Sequence, residues 1–359
     1  MSEHPQQDDS QFSGTKAIEE KHQFDHDKLY SYLEAHLDGF VGPMQVAQFK
    51  GGQSCPTYRI DAASGVYVLR RKPPGKLLPS AHAVDREYRV ISALYAAGFP
   101  VPCTYLLCED EDIVGTMFYV MDFVEGRVFW DPTMPELSPS ARGAAYESMV
   151  ETMAALHSFD VAALGLADFG RPGNYFARQI GRWSKQYKAS ETDSIREMDQ
   201  LIEWLPANNP ADDTNVLVHG DFALHNVLFH PQEPRVVGIL DWEISTLGHP
   251  LGDLSYNCLQ WYAPPFEGGM ATFGDLDTES IGIPSLARYT AAYEARSGHA
   301  LGEDIGFYKA YNLFRLACIY QGIIGRVRDG TAANPHAGEL EKRIRPLAEA
   351  AWREVQAIG

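Results

Sequence analysis

One stretch limits what this chain can be more than any other: Leu217-Val-His-Gly-Asp-Phe-Ala-Leu-His-Asn-Val-Leu-Phe229, followed by Val236-Val-Gly-Ile-Leu-Asp-Trp-Glu243. Its polar skeleton is His219, Asp221, Asn226 and Asp241. These residues lie against short apolar runs, Val216-Leu217-Val218 and Val236 to Leu240. Runs of Val, Ile and Leu bounded by turn residues read as buried strands. Asp221 and Asn226 are therefore expected on a loop between strands, and Asp241 at the end of the next strand.

Phosphoryl transfer needs this inventory. One carboxylate orients an attacking hydroxyl and accepts its proton. A second carboxylate and an amide oxygen hold Mg2+ against nucleotide phosphates. Little covalent chemistry is asked of the protein, so placement and charge neutralisation carry the catalysis. Mg2+ takes oxygen ligands and keeps several waters, so one Asp and one Asn suffice. Asp221 and His219 are the catalytic candidates; Asn226, Asp241 and Glu243 are the metal candidates. The bland alternative is a turn capped by His219 and Asp221. Asn226 at its offset, two flanking strands and a later Asp weigh against it.

The spacing matches the catalytic loop of protein kinases, His-Arg-Asp-x-x-x-x-Asn, with Gly220 in place of Arg. His-Gly-Asp followed by Asp-Trp-Glu resembles the aminoglycoside phosphotransferase and choline kinase group. The resemblance covers about residues 40 to 330. It implies an α+β, bilobal protein kinase-like fold. The N-lobe would be an antiparallel sheet plus one helix, the C-lobe mostly helical, with ATP and Mg2+ between them. It assigns residues 23–124 to a nucleotide-binding lobe and 125–359 to a catalytic and substrate-binding lobe. Residues 1–22, polar throughout, form the expected mobile tail.

Further pieces fall in order along the chain. Val46 to Ala62 reads as a hairpin with Gly51, Gly52 and Ser54 at its tip. A glycine pair lets backbone N–H groups approach phosphates, although Gly-Gly between strands is most often just a turn. Many relatives carry Ser-Asn where this chain has Ser54-Cys55. In the next strand, Gly65 to Arg70, the resemblance puts Arg70 at the position of the phosphate-binding lysine. Lys72, two residues on, shares its face of an extended strand and is the second candidate. A helix over Ser80 to Ala97 carries Glu87, which would fix that cation. Phe118 to Gly126 resembles the hinge between kinase lobes. There the Asp122 carbonyl and Val124 N–H would hold the base, with Met121 behind it. Asp253 would cap a helix and support the catalytic loop. His157 reads as a satisfied core histidine.

The substrate side is less constrained. Tyr175 to Tyr187 places Arg178, Arg182 and Lys185 on one helix with Trp183, suited to an anionic substrate or to a solvated surface. Tyr256 and Trp261 belong to an aromatic patch that could line an acceptor pocket, though packing is the commoner fate of aromatics. The runs Tyr67 to Glu87 and Asn174 to Tyr187 resemble kinase domains associated with acyl-CoA dehydrogenases. Members of that branch are linked to phosphorylation of hydroxyacyl-CoA. The expected function is thus ATP- and Mg-dependent phosphorylation of a small-molecule hydroxyl, with a hydroxyacyl-CoA as the candidate acceptor. The alternatives are an aminoglycoside or choline-type kinase, a protein kinase, or a catalytically silent nucleotide-binding scaffold.

Composition sets the outer bounds. A length of 359 residues suggests two lobes. A net charge of −18 argues against nucleic acid and anionic membranes as partners, and means a polyphosphate site must concentrate cations locally. Five scattered cysteines without a Cys-x-x-Cys suggest reduced thiols. No apolar run approaches the roughly 20 residues that span a bilayer, and Met1 to Lys28 is polar. The expected location is cytoplasmic.

Overall fold

The computed structural model describes residues 14–51, 55–75, 82–266, 271–302, 305–329 and 337–358. Its first half is built on one antiparallel sheet. Strand β1 (Thr15–Lys16) precedes helix α1 (His26–His36), then β2 (Met44–Phe49), β3 (Thr57–Ala62) and β4 (Gly65–Arg71). Helix α2 (Val84–Ala96) leads to β5 (Thr104–Cys108), a single turn α3 (Glu111–Val114) and β6 (Phe118–Asp122). The sheet order is β1-β2-β3-β4-β6-β5. Alternation explains β3, where Tyr58 and Ile60 are buried and their neighbours are partly exposed. Strand β4 is buried along Tyr67 to Arg71, because both faces of the sheet are covered there. Helix α2 packs on one face through Val84, Val90, Ile91 and Leu94.

Residues 14–22, assigned to the tail from their polarity, are instead packed on the sheet. Strand β1 pairs with β2, Thr15 opposite Phe49. The His22 carbonyl accepts from the Tyr58 hydroxyl at 3.1 Å and from buried Arg71 at 3.2 Å. Polarity concealed this, because the contacts are backbone pairing and a carbonyl. Between β5 and β6, Asp110 accepts from the Asp112 N–H and caps α3.

The second half is mostly helical. Its elements are α4 (Pro139–His157), α5 (Tyr175–Ser190) and α6 (Arg196–Ala207), then β7 (Val216–Val218), β8 (Val227–Phe229), β9 (Val236–Ile239) and β10 (Thr246–Gly248). Helices α7 (Pro250–Asn257), α8 (Leu259–Tyr262), α9 (Leu286–Ser297), α10 (Gly306–Arg328) and α11 (Glu341–Ala357) follow. Two small ribbons cross this lobe: β10 pairs with β7, and β8 with β9. Helix α10 is buried along most of its length, so it forms the spine of the lobe. The halves meet at Gly126 and Arg127. Arg127 exchanges two backbone hydrogen bonds with Phe229, at 2.7 and 2.8 Å. A Cβ on Gly126 would lie 2.5 Å from the Leu228 side chain and 2.6 Å from the Phe229 carbonyl, so only glycine fits this approach. This is the α+β, bilobal protein kinase-like fold that the resemblance implies.

Candidate active site

The polar loop emerges from β7 and returns through β8, as the flanking apolar runs require. Gly220 has φ +84, and a Cβ there would meet the Ile244 carbonyl at 3.0 Å. The position where protein kinases carry Arg therefore demands glycine in this chain. Asn226 donates from Nδ2 to the Asp221 carbonyl at 2.9 Å and to the Asp221 carboxylate at 3.1 Å. The amide oxygen of Asn226 is thereby oriented away from Asp221. The Leu240 N–H donates to the Asn226 carbonyl at 2.9 Å. This bond ties the residue before Asp241, two positions past the end of β9, to Asn226. Asp241 has φ +64, a conformation uncommon for a residue with a Cβ and concentrated at functional sites.

His219 does not stand with Asp221 as a reacting group. It is fully buried, its Nε2 donates to the Leu240 carbonyl at 2.9 Å, and its Nδ1 accepts from the Asp221 N–H at 3.2 Å. Its ring packs against Trp242, with centroids 4.6 Å apart. Both ring nitrogens are thus committed to backbone. His219 ties the Asp221 segment to the Asp241 segment and cannot reach an acceptor.

Asp253 holds the loop from below. Its carboxylate accepts from the N–H of His219 at 2.6 Å and of Gly220 at 2.8 Å, and from His157 Nε2 at 3.4 Å. Burial works against its charge, but these donors win and hold its carboxyl below the usual carboxylate range. It does not cap α7, however. His249 is the N-cap, accepting from the Leu251 N–H, and Asp253 sits inside the first turn. His157 is satisfied on both nitrogens, by Asp253 and by the Tyr293 hydroxyl at 2.6 Å.

Arg70 is the hub of the opposite wall. Its Nε donates to Glu87 at 2.7 Å and its Nη2 to Asp241 at 2.6 Å, with Glu243 at 3.8 Å. Glu87 also accepts from the Trp242 N–H at 3.3 Å. Burial raises the Glu87 carboxyl to about 7; Arg70 opposes the rise, while Asp241 and Glu243 add to it. Three carboxylates thus surround one guanidinium, and the site lacks positive charge. Lys72 forms no ion pair among the described residues, so the buried cation here is Arg70. Gly51 ends the described part of the β2–β3 connection, and Gly52 and Ser54 lie outside the described residues. Met121 and Asp122 lie on β6 and pair with Val68 and Tyr67 of β4, and Val124 follows two residues beyond Asp122. Met121, opposite Val68, therefore shares the face of the sheet that carries Arg70, while Asp122, opposite Tyr67, lies on the other face.

Among the substrate candidates the structure separates near from far. Tyr256 turns its phenol to Asp221; burial, then that carboxylate, raises its pKa well above the ordinary value. Trp261 instead donates to the Pro284 carbonyl at 3.1 Å and packs among Tyr146, Phe273 and Tyr289. It is a core residue. Arg178 donates to the Arg171 carbonyl at 2.7 Å, and Arg182 lies over the Trp183 ring at 5.2 Å. A cavity of about 270 Å³ at the start of α5 is lined by Asn174, Asp212, Asp213 and His249, away from Asp221 and Arg70. Its acidic lining does not suit an anionic acceptor.

The residue that sequence reasoning missed is Arg315. Buried on α10, it donates to the Gly220 carbonyl at 2.6 Å and lies 4.5 Å from the Tyr256 ring and 5.7 Å from the Trp183 ring. No sequence signal finds it, because it lies 95 positions from Gly220 on a separate helix.

The fold is that of a kinase-like phosphotransferase, and these residues are its candidate phosphoryl-transfer site. The sequence model of the phosphotransferase enzyme family matches residues 45–289, and the chain belongs to that family. It is a phosphotransferase that uses an alcohol group as acceptor. It is 44% identical over 325 residues to acyl-CoA dehydrogenase family member 10 of Mus musculus, a match covering 89% of this chain and 30% of that one. The chain spans less than half the length of the curated relatives it matches. A crystal structure from Ralstonia eutropha, assigned as an aminoglycoside phosphotransferase, is 46% identical, with a TM-score of 0.85 over 93% of this chain and 99% of that one. Spectinomycin phosphotransferase, crystallised with ADP and spectinomycin, shares the fold at 15% identity, with a TM-score of 0.60 over 92% of this chain and 98% of that one.

Proposed function

We propose that this enzyme moves the γ-phosphate of ATP, with Mg2+, onto the hydroxyl of a small molecule, and that the acceptor is a hydroxyacyl-CoA. The observation that carries the first part is the junction of Asp221, Asn226 and Asp241 through the Asn226 amide and the Leu240 N–H. Asp221 takes the proton of the acceptor hydroxyl as the oxygen attacks phosphorus. Tyr256 and Asn226 hold that carboxylate in place. Arg70, held by Glu87, faces the α- and β-phosphates. The Met121 to Val124 segment frames the base.

The residues fit a hard divalent cation. The Asn226 amide oxygen and the Asp241 carboxylate are an all-oxygen set, and the three carboxylates around Arg70 leave negative charge to be balanced. Asn226 and Asp241 would hold Mg2+ there, where it would supply charge neutralisation for the phosphates. The ADP held by spectinomycin phosphotransferase supports nucleotide use in a site of this fold.

The acyl-CoA part rests on the name of the mouse relative and on α5. That helix carries Arg178 and Arg182, and its Trp183 packs on Arg315, which holds the Gly220 carbonyl. Cations on a helix that packs on Arg315 suit an acceptor bearing phosphates. The Ralstonia structure favours a second reading, an aminoglycoside acceptor. Turnover measured against 3-hydroxyacyl-CoAs, aminoglycosides, choline and a generic protein separates them; phosphorylation of aminoglycosides alone refutes the acyl-CoA reading. Asp221→Asn should lose about 10²- to 10⁴-fold in kcat with nucleotide affinity kept. Unchanged turnover in that variant would remove Asp221 from its role.

A further inference from the structure

We propose that Cys55, His82 and Glu243 form a binding site for a borderline-soft divalent cation of the zinc class, at the rim of the phosphate cleft and separate from the Asn226–Asp241 pair. Their ligand atoms form a near-equilateral triangle. Cys55 Sγ lies 3.6 Å from His82 Nδ1 and 3.9 Å from Glu243 Oε2, and His82 Nδ1 lies 3.6 Å from Glu243 Oε2. Zinc bonds of about 2.3 Å to sulfur and about 2.0–2.2 Å to nitrogen and oxygen, set at tetrahedral angles, place ligand atoms roughly 3.4–3.6 Å apart. The triangle therefore needs to close by only a few tenths of an ångström.

The ligand set selects the metal. A thiolate and an imidazole suit zinc or cobalt and are poor ligands for Mg2+. Three protein ligands leave a fourth position open to water or a phosphate oxygen. Glu87, Glu243 and Asp241 stand around a single guanidinium, that of Arg70, beside this triangle. A dication supplies the charge that this carboxylate-rich corner lacks. Binding forms the metal–sulfur bond as the thiol proton leaves to solvent.

The position gives the site a consequence. Cys55 follows the glycine pair, His82 leads into α2, and Glu243 follows Asp241 by two residues. A metal bound by all three links the β2–β3 connection to the segment carrying Asp241 and draws Glu243 from Arg70.

The test uses the full-length chain without nucleotide. Titration with Co2+ should give one equivalent of tetrahedral cobalt, with d–d absorption and a thiolate-to-cobalt charge-transfer band in the near ultraviolet. Zn2+ should displace it, and a large excess of Mg2+ should not. Cys55→Ser should abolish the charge-transfer band. His82→Gln should weaken cobalt binding by at least the 10- to 100-fold that loss of an outer-shell partner costs. The idea is overturned by absence of the band, by its persistence in Cys55→Ser, or by displacement with Mg2+. If Cys55→Ser fails to fold, His82→Gln decides: unchanged affinity in that variant overturns the site. None of these readouts depends on phosphoryl transfer.

Discussion

Two buried arginines flank the catalytic segment, and they are held in opposite ways. Arg70 sits among carboxylates, with Glu87, Asp241 and Glu243 all within 4 Å. Arg315 has no carboxylate within that distance among the described residues; a carbonyl and two aromatic rings hold it. The first is an electrostatic arrangement whose charges, under the proposed function, would re-pair with phosphates and a metal. The second is a fixed support, since a cation held by rings and a carbonyl has nothing to exchange. Under the proposed function the wall of the first lobe would adjust to the nucleotide while the loop bearing Asp221 stays fixed. Asp253 strengthens the contrast, committing its carboxylate to the two N–H groups that aim the loop.

The largest effect should come from Arg70. Arg70→Met leaves Glu87 buried without its counter-charge and should cost about 3–5 kcal/mol of stability, read by denaturant unfolding. Arg70→Lys should recover only part of it, because a point charge cannot span Glu87 and Asp241. A loss below about 1 kcal/mol for Arg70→Met would mean the network relaxes freely, and the contrast would fail.

Arg315→Met should cost less, about 1–3 kcal/mol, since it leaves one carbonyl unpaired while the methionine still fills the space between the rings. It should lower kcat more than nucleotide affinity. An equal loss in both would mean that Arg315 supports the whole cleft and not the loop alone.

A pH series probes the Arg70 wall alone. The Glu87 carboxyl is raised from 4.5 to about 7. Its protonated form is favoured by folding, so this contribution is present in full below about pH 4.5 and is lost as pH rises through 7. The nucleotide-free protein should therefore lose stability relative to Glu87→Gln between about pH 5 and 8. A flat difference would show that Glu87 titrates normally and that Arg70 alone balances the site.

The smallest effect belongs to α5. Arg182→Ala, at an exposed position, should change stability by less than about 0.5 kcal/mol. It should raise KM for an acyl-CoA acceptor without lowering kcat, as loss of uniform binding does. An unchanged KM would leave Arg182 as a solvated surface residue.

Much of the site was legible in the sequence because it is local. Asp221 and Asn226 share one loop, and Asp241 follows the next strand of the same ribbon. Apolar runs and turn residues fix such a segment with little outside help. Arg70 and Glu87 were legible through the family pattern, and the ion pair between them is present. The misplacements all concern partners that a pattern cannot show. His219 reads as a reacting group until its nitrogens are found on backbone. Trp261 reads as a pocket wall until its indole is found on the Pro284 carbonyl. Residues 14–22 read as a tail because strand addition uses backbone groups that every residue carries.

By itself, then, the sequence determined the kinase-like class, the loop that bears Asp221 and Asn226, and the strand that delivers Asp241. These follow from periodicity, glycine and short-range spacing, whose physics acts over a few residues. Only the tertiary structure decided that Arg70 joins Glu87 to Asp241, that Arg315 supports Gly220 from another helix, and that Cys55, His82 and Glu243 meet. Burial and charge pairing act across space, and they select partners far apart in the chain only once the core has brought them into contact.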